Sequence, residues 1–414
     1  MTDMAGAVPV IAVDKVQAVA LAVCTYYFGV WLKGKVGVLS RYSIPSPVVG
    51  GMSFAIVVSF LEYFNIVKVQ IDSTLQTVLM LGFFTTIGLM ASLRVVKDGG
   101  RLLLGFLLAV TVLVFLQNGM GMAIAEAMGF DKHYGILAGS VSMMGGLGTA
   151  AAFGPYFEET YGITGGTAVA VTAATFGMVA ALLIGGPFGE WCIRRYKVKT
   201  PDEVQQPEPE LHLPDDMDTD ITEQHASAKP SFTNEIMRAV SVTALAMGLG
   251  TIVSNFLGHY ITLPAYIGAM IVATVIRNVG DFSGMYKVEG KGLNAVADIT
   301  LVLFVTMAIN NLKLHELVHL ALPLVVILAC QTILMLIYAL TVLFTAFGRS
   351  YDAVMLSVGG IGFSMGATAN GLANMQAISE KYGSSPRAWL IVSVVGAFLI
   401  DLINAVVITW FGTL

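Results

Sequence analysis

The sequence predicts an all-α polytopic membrane protein built from two inverted five-span repeats, each with a re-entrant hairpin. Three observations carry that prediction. The 414 residues are 56% hydrophobic and only 12% charged, with mean hydropathy +0.78, whereas an average soluble domain is about 25% charged. Apolar segments near spanning length, about twenty residues, fall into two sets of six around one acidic stretch. Two glycine-rich apolar stretches recur at a fixed offset, one in each set.

In chain order the first set lies near 16–39, 47–65, 75–95, 102–128, 134–153 and 165–193. The stretch 197–235 is rich in Pro, Asp and Glu and reads as a flexible tether. The second set lies near 237–258, 261–280, 293–312, 317–347, 353–375 and 387–412. This divides the chain into an N-terminal membrane repeat (1–196), an acidic linker (197–235) and a C-terminal membrane repeat (236–414). The halves align at an offset of 221 residues. Asp131 matches Asp352, Gly139 matches Gly360, Gly145 matches Gly366, and Tyr161-Gly162 matches Tyr382-Gly383. An internal duplication is the natural reading.

Charge placement sets the topology, because cytoplasmic loops carry the excess of Lys and Arg. Six crossings in the first half would leave Arg194, Arg195, Lys197 and Lys199 outside. With 134–153 as a re-entrant hairpin, five crossings remain and that cluster falls inside with Lys33, Lys35, Arg94 and Arg101. The second half, with 353–375 re-entrant, then has the opposite orientation and places Arg277, Lys291, Arg349 and Arg387 inside. Both termini are predicted outside and the acidic linker in the cytoplasm. Inverted repeats with broken helices at the midplane are an architecture of secondary transporters.

The hairpin tips are the candidate substrate site. Ser142, Gly145, Gly146, Gly148 and Thr149 come from one, and Ser364, Gly366, Thr368 and Asn370 from the other, followed by Asn374 and Gln376. Glycine costs about 1 kcal/mol relative to alanine inside a helix, so these stretches suit breaks that expose backbone. Free backbone N–H groups at helix starts bind carboxylates, and unwound carbonyls suit a hard cation. Small residues also permit close helix packing, which is the competing explanation. No Lys or Arg lies well inside an apolar segment, so an anion would need backbone dipoles, hydroxyls, amides or a co-bound cation. Asp401, deep in the last segment, costs about 2.5–3.5 kcal/mol on insertion scales. It is a candidate for Na⁺ or a substrate amino group, with Asn404 beside it. Gln117 and Asn118 sit mid-segment, as cavity lining or as packing hydrogen bonds. Asp298 reads as a weaker candidate near a helix start.

Other chemistry finds little support. The six histidines fall in loops or at segment ends, and the three cysteines lack metal-ligand spacing. No HExxH, GxSxG or phosphate-binding loop is present, so an enzyme is not expected. The net charge of −5 gives no reason to expect a nucleic-acid partner. The N-terminus lacks a basic stretch, and no cleaved signal peptide is predicted.

At these residues the chain resembles the glutamate:sodium symporter family, whose members move L-glutamate inward with Na⁺. The resemblance runs through Ile44-Pro45-Ser46-Pro47-Val48-Val49-Gly50-Gly51, Phe83-Phe84-Thr85-Thr86-Ile87-Gly88-Leu89, Gln117-Asn118 and Gly145–Thr149. It continues through Gly185-Gly186-Pro187, Gly366-Ala367-Thr368, Ala373–Ile378, Asp401 and Asn404. It implies a symporter of the bacterial inner membrane, working by elevator-type alternating access as a homodimer in lipid. Na⁺ would be the coupling ion, with no other cofactor. The cation ligands would come from Asp401, Asn404, Gln117, Asn118, Asn374 and Gln376. The family's first tip usually reads Gly-Gly-His-Gly-Thr, and here Leu147 takes the His position. Ala369-Asn370 stands where Pro-Thr is common. Alternatives are a Na⁺- or H⁺-coupled carrier of another small carboxylate, and a channel or sensor.

Overall fold

The computed structural model describes residues 8–37, 39, 44–201, 232–257, 265–284, 286, 290–314 and 319–414. Most of the predicted acidic linker, 197–235, lies outside the described residues. Every predicted apolar segment is helical where described. In the first half these are α1 (Lys15–Lys35), α2 (Ser46–Tyr63), α3 (Thr74–Met90) and α4 (Leu93–Ala127). There follow α5 (Lys132–Ile136) with a π-turn at Leu137–Val141, α6 (Gly146–Tyr161) and α7 (Gly166–Tyr196). The second half has α8 (Phe232–Leu257), α9 (Ala265–Ser283), α10 (Lys291–Asn310) and α11 (Ala321–Tyr338), which runs on as a π segment, Ala339–Ala346. Then come α12 (Tyr351–Ser364), α13 (Thr368–Tyr382), α14 (Pro386–Val394), a π-turn at Val395–Leu399, and α15 (Ile400–Gly412). Among the described residues, eight helices are long and apolar enough to cross a membrane, which makes this a multi-pass membrane protein.

The described chain is mostly helical, as the all-α expectation has it, with one short strand pair beside the helices. Strands β1 (Val10–Val13) and β2 (Lys68–Ile71) pair in parallel, with Val10 opposite Lys68 and Val13 opposite Ile71. Val-Ile-Ala-Val and Lys-Val-Gln-Ile carry the β-branched residues that favour extended chain, and both lie outside the apolar helices. The strand pair ends at Asp14, which caps α1. Its carboxylate accepts from Val16 N (2.8 Å) and Gln17 N (2.9 Å), while Gln17 Oε1 accepts from Asp14 N (3.1 Å). This reciprocal box satisfies donors that a helix start leaves open.

The helices pack into two groups that cut across the sequence halves. One contains α1, α2, α3, α8, α9 and α10, the first three helices of each half. The other contains α4–α7 and α11–α15. Contacts between the groups are sparse and run mainly through α6 on α10, and through α3 on the π-turn at Val395–Leu399. The chain passes between the groups at α3–α4, α7–α8 and α10–α11. The first passage is tied down: Ser92 Oγ donates to Asp281 Oδ2 (2.5 Å), Asn278 Nδ2 to Ala91 O (2.8 Å), and Leu93 N to Asn278 Oδ1 (2.8 Å).

Both glycine-rich stretches interrupt helices at matching positions. α5 and its π-turn end before Gly145, and α6 begins at Gly146. α12 ends at Ser364, and α13 begins at Thr368. The second arms also stop in register: α6 ends at Tyr161 with Gly162 at φ 69°, and α13 at Tyr382 with Gly383 at φ 92°. Within the second pair the arms touch backbone to backbone, since a Cβ on Gly362 would lie 2.3 Å from Gly371 Cα. Gly362→Val should therefore cost about 3 kcal/mol or more, seen as loss of the monodisperse peak or a large drop in melting temperature in detergent. Gly186→Ala, where a Cβ meets nothing within 4 Å, should be neutral or stabilising by up to about 1 kcal/mol.

Candidate functional site

A cavity of about 490 Å³ lies between the two helix groups, within the ~300–1,000 Å³ of small-molecule pockets. Both helix breaks reach it. Its walls include Met144, Gly145, Gly146, Leu147, Gly148 and Thr149 from the first break, and Gly366, Ala367, Thr368 and Ala369 from the second. Met178, Phe363, Gly396, Ala397 and Asp401 complete that side. The opposite wall is Pro45, Pro47, Phe83, Thr86, Ile87, Met90, Ala297, Asp298, Leu301, Val302 and Val305.

The breaks meet each other. Gly146 has φ 63°, and a Cβ there would lie 2.5 Å from Gly366 O, so both the dihedral and the approach require glycine. From this point α6 and α13 run away from the cavity. Neither helix start has a side-chain cap, and the first turn of any helix leaves N–H groups without an intrahelical partner. Two helix N-termini therefore present donors and positive dipole ends to one cavity. Thr368 Oγ1 donates to Gly396 O at 2.5 Å. Gly396 belongs to the π-turn that precedes Asp401, and π-turns inside helices are frequent at functional sites.

Among the described residues, the cavity wall contains two carboxylates, Asp401 and Asp298, and no Lys, Arg or His. Asp298 is the correction here: α10 begins at Lys291, so Asp298 lies two turns into the helix and faces the cavity from the opposite group.

Of the sequence-derived candidates, Gly145, Gly146, Gly148, Thr149, Gly366, Thr368 and Asp401 converge on this cavity. The others do not line it. Ser142 is fully buried, and its one hydroxyl proton is shared between Leu137 O and Ala170 O (2.7 Å). Asn370 Nδ2 donates to Met178 O (2.9 Å) and Asn374 Nδ2 to Ala181 O (3.0 Å), fastening α13 to α7. Gln376 sits on the exposed face of α13 and donates to Glu380 Oε1 (3.1 Å). Gln117, Asn118, Ser364 and Asn404 are buried behind the breaks. Gln117 Nε2 donates to Ser364 O (2.9 Å), Asn118 Oδ1 accepts from Ser140 N (2.9 Å), and Asn404 Nδ2 donates to Ser140 O (3.1 Å). His133 helps to close the outer end of α5: it contacts Asp131 Oδ1 at 2.5 Å and stacks on Tyr161 at 4.1 Å.

A second cavity, of about 400 Å³, lies further along α3, α6 and α10, lined by Gln76, Glu158, Thr167, Asn311 and Lys313 among others. Rings stand between the two. Phe84 stacks on Tyr266 at 4.5 Å, Tyr266 meets Phe153 edge-on at 5.4 Å, and Phe83 packs on Phe304 at 5.5 Å. The sequence reading did not place Pro45, Thr86, Leu301, Gly396 or Ala397 at the site. Their assembly needs the two groups brought together; the Ile44–Gly51 and Phe83–Leu89 motifs hinted at it.

The fold and cavity define a multi-pass membrane protein with a small-solute cavity between two helix groups and two helix N-termini aimed into it. A family model described as sodium/glutamate symporter matches residues 11–384. The chain is 37% identical over 400 residues to the sodium/glutamate symporter of Escherichia coli (strain K12), covering 95% of this chain and 96% of that one. It is 34% identical over 395 residues to the sodium/glutamate symporter of Haemophilus influenzae, covering 94% and 95%. The chain belongs to the sodium/glutamate symporter family.

The cavity can be checked chemically. With Cys24, Cys192 and Cys330 replaced by serine, Ala397→Cys, exposed in the cavity wall, should react with N-ethylmaleimide. Ala138→Cys, fully buried in the π-turn, should not.

Proposed function

We propose that this protein imports L-glutamate together with Na⁺ as a secondary transporter of the bacterial inner membrane. The observation that carries the reading is the convergence of two uncapped helix N-termini and one deep carboxylate on a single cavity, in a chain of this family. L-glutamate carries two carboxylates and one ammonium. The starts of α6 and α13 supply positive ends for the carboxylates, and Asp401 supplies a negative partner for the ammonium. Neutral hydroxyls such as Thr149 and Thr368 add hydrogen bonds without a counter-charge that would retain the substrate.

The two-group packing supports an elevator cycle. The group that contains both breaks would carry the substrate, and the group with α3 and α10 would be the wall it moves along. The breaks would be tips of re-entrant hairpins entering from opposite faces, the first across about 134–153 and the second across about 353–375. The repeats 1–196 and 236–414 would then be inverted copies, joined by a cytoplasmic linker, with both termini outside. In that orientation the cavity lies toward the cytoplasm, because its walls include Met90, Ala297 and Asp298, near the ends marked by Arg94 and Lys291. The rings between the two cavities would close the outer path, making this an inward-facing state. A homodimer in the bilayer completes the proposal. Each net positive charge carried inward gains about 2.3 kcal/mol per 100 mV, which is enough to drive accumulation.

A second reading, another small carboxylate or a proton-coupled cycle, is favoured by one observation. Leu147, at the position where the family usually has His, lines the cavity and adds apolar surface where an imidazole would titrate.

Purified protein in liposomes should accumulate labelled L-glutamate under an inward Na⁺ gradient and not under a choline gradient. Cold L-glutamate should compete and citrate should not. Uptake that ignores Na⁺ would sink the coupling assignment. Asp401→Asn should lower L-glutamate uptake by about 10²-fold or more, as expected when a buried charge loses its partner. It should also narrow the preference for glutamate over glutarate, which lacks the amino group. Leu147→His should introduce a pH dependence of uptake between about pH 5 and 8 that the parent lacks.

A further inference from the structure

Among the described residues, thirteen buried side-chain polar atoms have no hydrogen-bond partner, and six of them belong to one cluster behind the helix breaks. The cluster is Gln117, Asn118, Ser140, Gln331, Ser364 and Asn404, each no more than 1% exposed. Native interiors leave few such atoms, and each one calls for an explanation.

The orphaned atoms are almost all oxygens, and their identities are fixed by the bonds the other ends make. Gln117 Nε2 donates to Ser364 O (2.9 Å), Gln331 Nε2 to Gln117 O (2.7 Å), and Asn404 Nδ2 to Ser140 O (3.1 Å). A carbonyl accepts only from the NH₂ end of an amide. Each contact therefore leaves the amide oxygen without a partner: Gln117 Oε1, Gln331 Oε1 and Asn404 Oδ1. The hydroxyls of Ser140 and Ser364 are orphaned beside them. Asn118 is the exception, because its oxygen is taken by Ser140 N (2.9 Å) and its NH₂ is left over.

We propose that this cluster is the site of the coupling Na⁺, with ligands drawn from Gln117, Ser140, Ser364 and Asn404. The inference rests on the sodium-coupled reading above and deepens it. Neutral amide and hydroxyl oxygens suit a hard cation of single charge, whereas divalent sites lean on carboxylates, and the cluster has none. Asn118 and Gln331 are positioning residues. Asn118 holds the π-turn through Ser140 N, and Gln331 holds the Gln117 backbone. This moves Ser364 from the substrate to the cation, and it removes Asn374 and Gln376 from the cation ligands.

The placement explains coupling. Ser140 lies in the arm that leads into the first break, and Ser364 is the last residue before the second. A cation held by both fastens the arms together and sets the two helix starts that receive the anion, so each ligand raises the affinity for the other. Asn404 follows Asp401 by three residues on α15, hence on the same side of the helix, which links the buried cluster to the cavity. Every member belongs to the helix-break group, so the ion travels with it.

The test measures two quantities on the full-length protein. One is the rise in melting temperature of detergent-purified protein when Na⁺ replaces choline without substrate. The other is the Na⁺ concentration for half-maximal uptake in liposomes. Ser140→Ala, Ser364→Ala and Asn404→Ala should abolish the thermal shift and raise the Na⁺ requirement by about 10–100-fold. In Na⁺-free buffer the two serine variants should melt at or above the parent, since each removes a hydroxyl that has no partner; a structural role would lower both. Asn404→Asp keeps an oxygen in place and should retain the Na⁺ response if Asn404→Ala fails to fold. Gln376→Ala should match the parent throughout. Parent protein with Na⁺-driven uptake, and variants that keep its Na⁺ requirement and thermal shift, would overturn the site and leave the transport reading standing. A parent with neither Na⁺-dependent uptake nor a thermal shift would overturn both.

Discussion

Backbone that leaves the helix in a hydrocarbon environment must find its partners inside the protein. Two such breaks, back to back, are the constraint that the rest of this molecule serves. Gly146 and Gly366 press their backbones together, and the absent Cβ of Gly177 leaves room for the Met365 carbonyl, 2.0 Å from where that carbon would be. Around them α4, α7, α11 and α15 form a shell that keeps lipid away. Asn370 and Asn374 fasten α13 to that shell: their amides donate to carbonyls of α7.

The same constraint explains the unusual charge pattern. A cavity between apolar helices could have met an anion with arginine or lysine. Here the positive ends are those of α6 and α13, which carry no proton to lose and no long side chain to order. Dipole ends are weaker than full charges. The carboxylates of Asp401 and Asp298 leave the cavity short of positive charge, and the cation proposed behind the breaks would offset that deficit.

Much of this was legible in the sequence, and what was missed has a physical reason. Glycine clusters betray a break because they are poor helix formers, so 142–149 and 364–370 were found. Asp401 was found because a carboxylate in an apolar run is costly. Two residues paired at the 221-residue offset, Tyr161 and Tyr382, each end a helix. Polar residues farther along the arms were misjudged. Asn374 and Gln376 are chemically similar, yet one faces α7 and the other an exposed Glu380, and only the packing of α13 decides which. Asp298 was placed near a helix start because the beginning of α10 could not be read from hydropathy. The wall formed by α2, α3 and α10 was largely invisible, since it is assembled from both halves. The strand pair was not legible because two four-residue strands leave no long apolar run.

One joint ties the two helix groups together at a single corner. Ser92, Leu93 and Arg94 are all bonded to α9, Arg94 through Asp281 O at 2.6 Å. The next departure from helical geometry in α4 is Gly100, with φ 63° and ψ −158°, where a Cβ would meet nothing within 4 Å. The long helix is thus a short arm bolted to one group and a long arm embedded in the other, with a glycine pivot between them. A chain of six residues spans at most about 20 Å even when fully drawn out. In the proposed elevator cycle, with that arm helical and bolted, the two groups would swing about this corner rather than slide apart freely at it. Displacement then grows with distance from the pivot, as it does on a door.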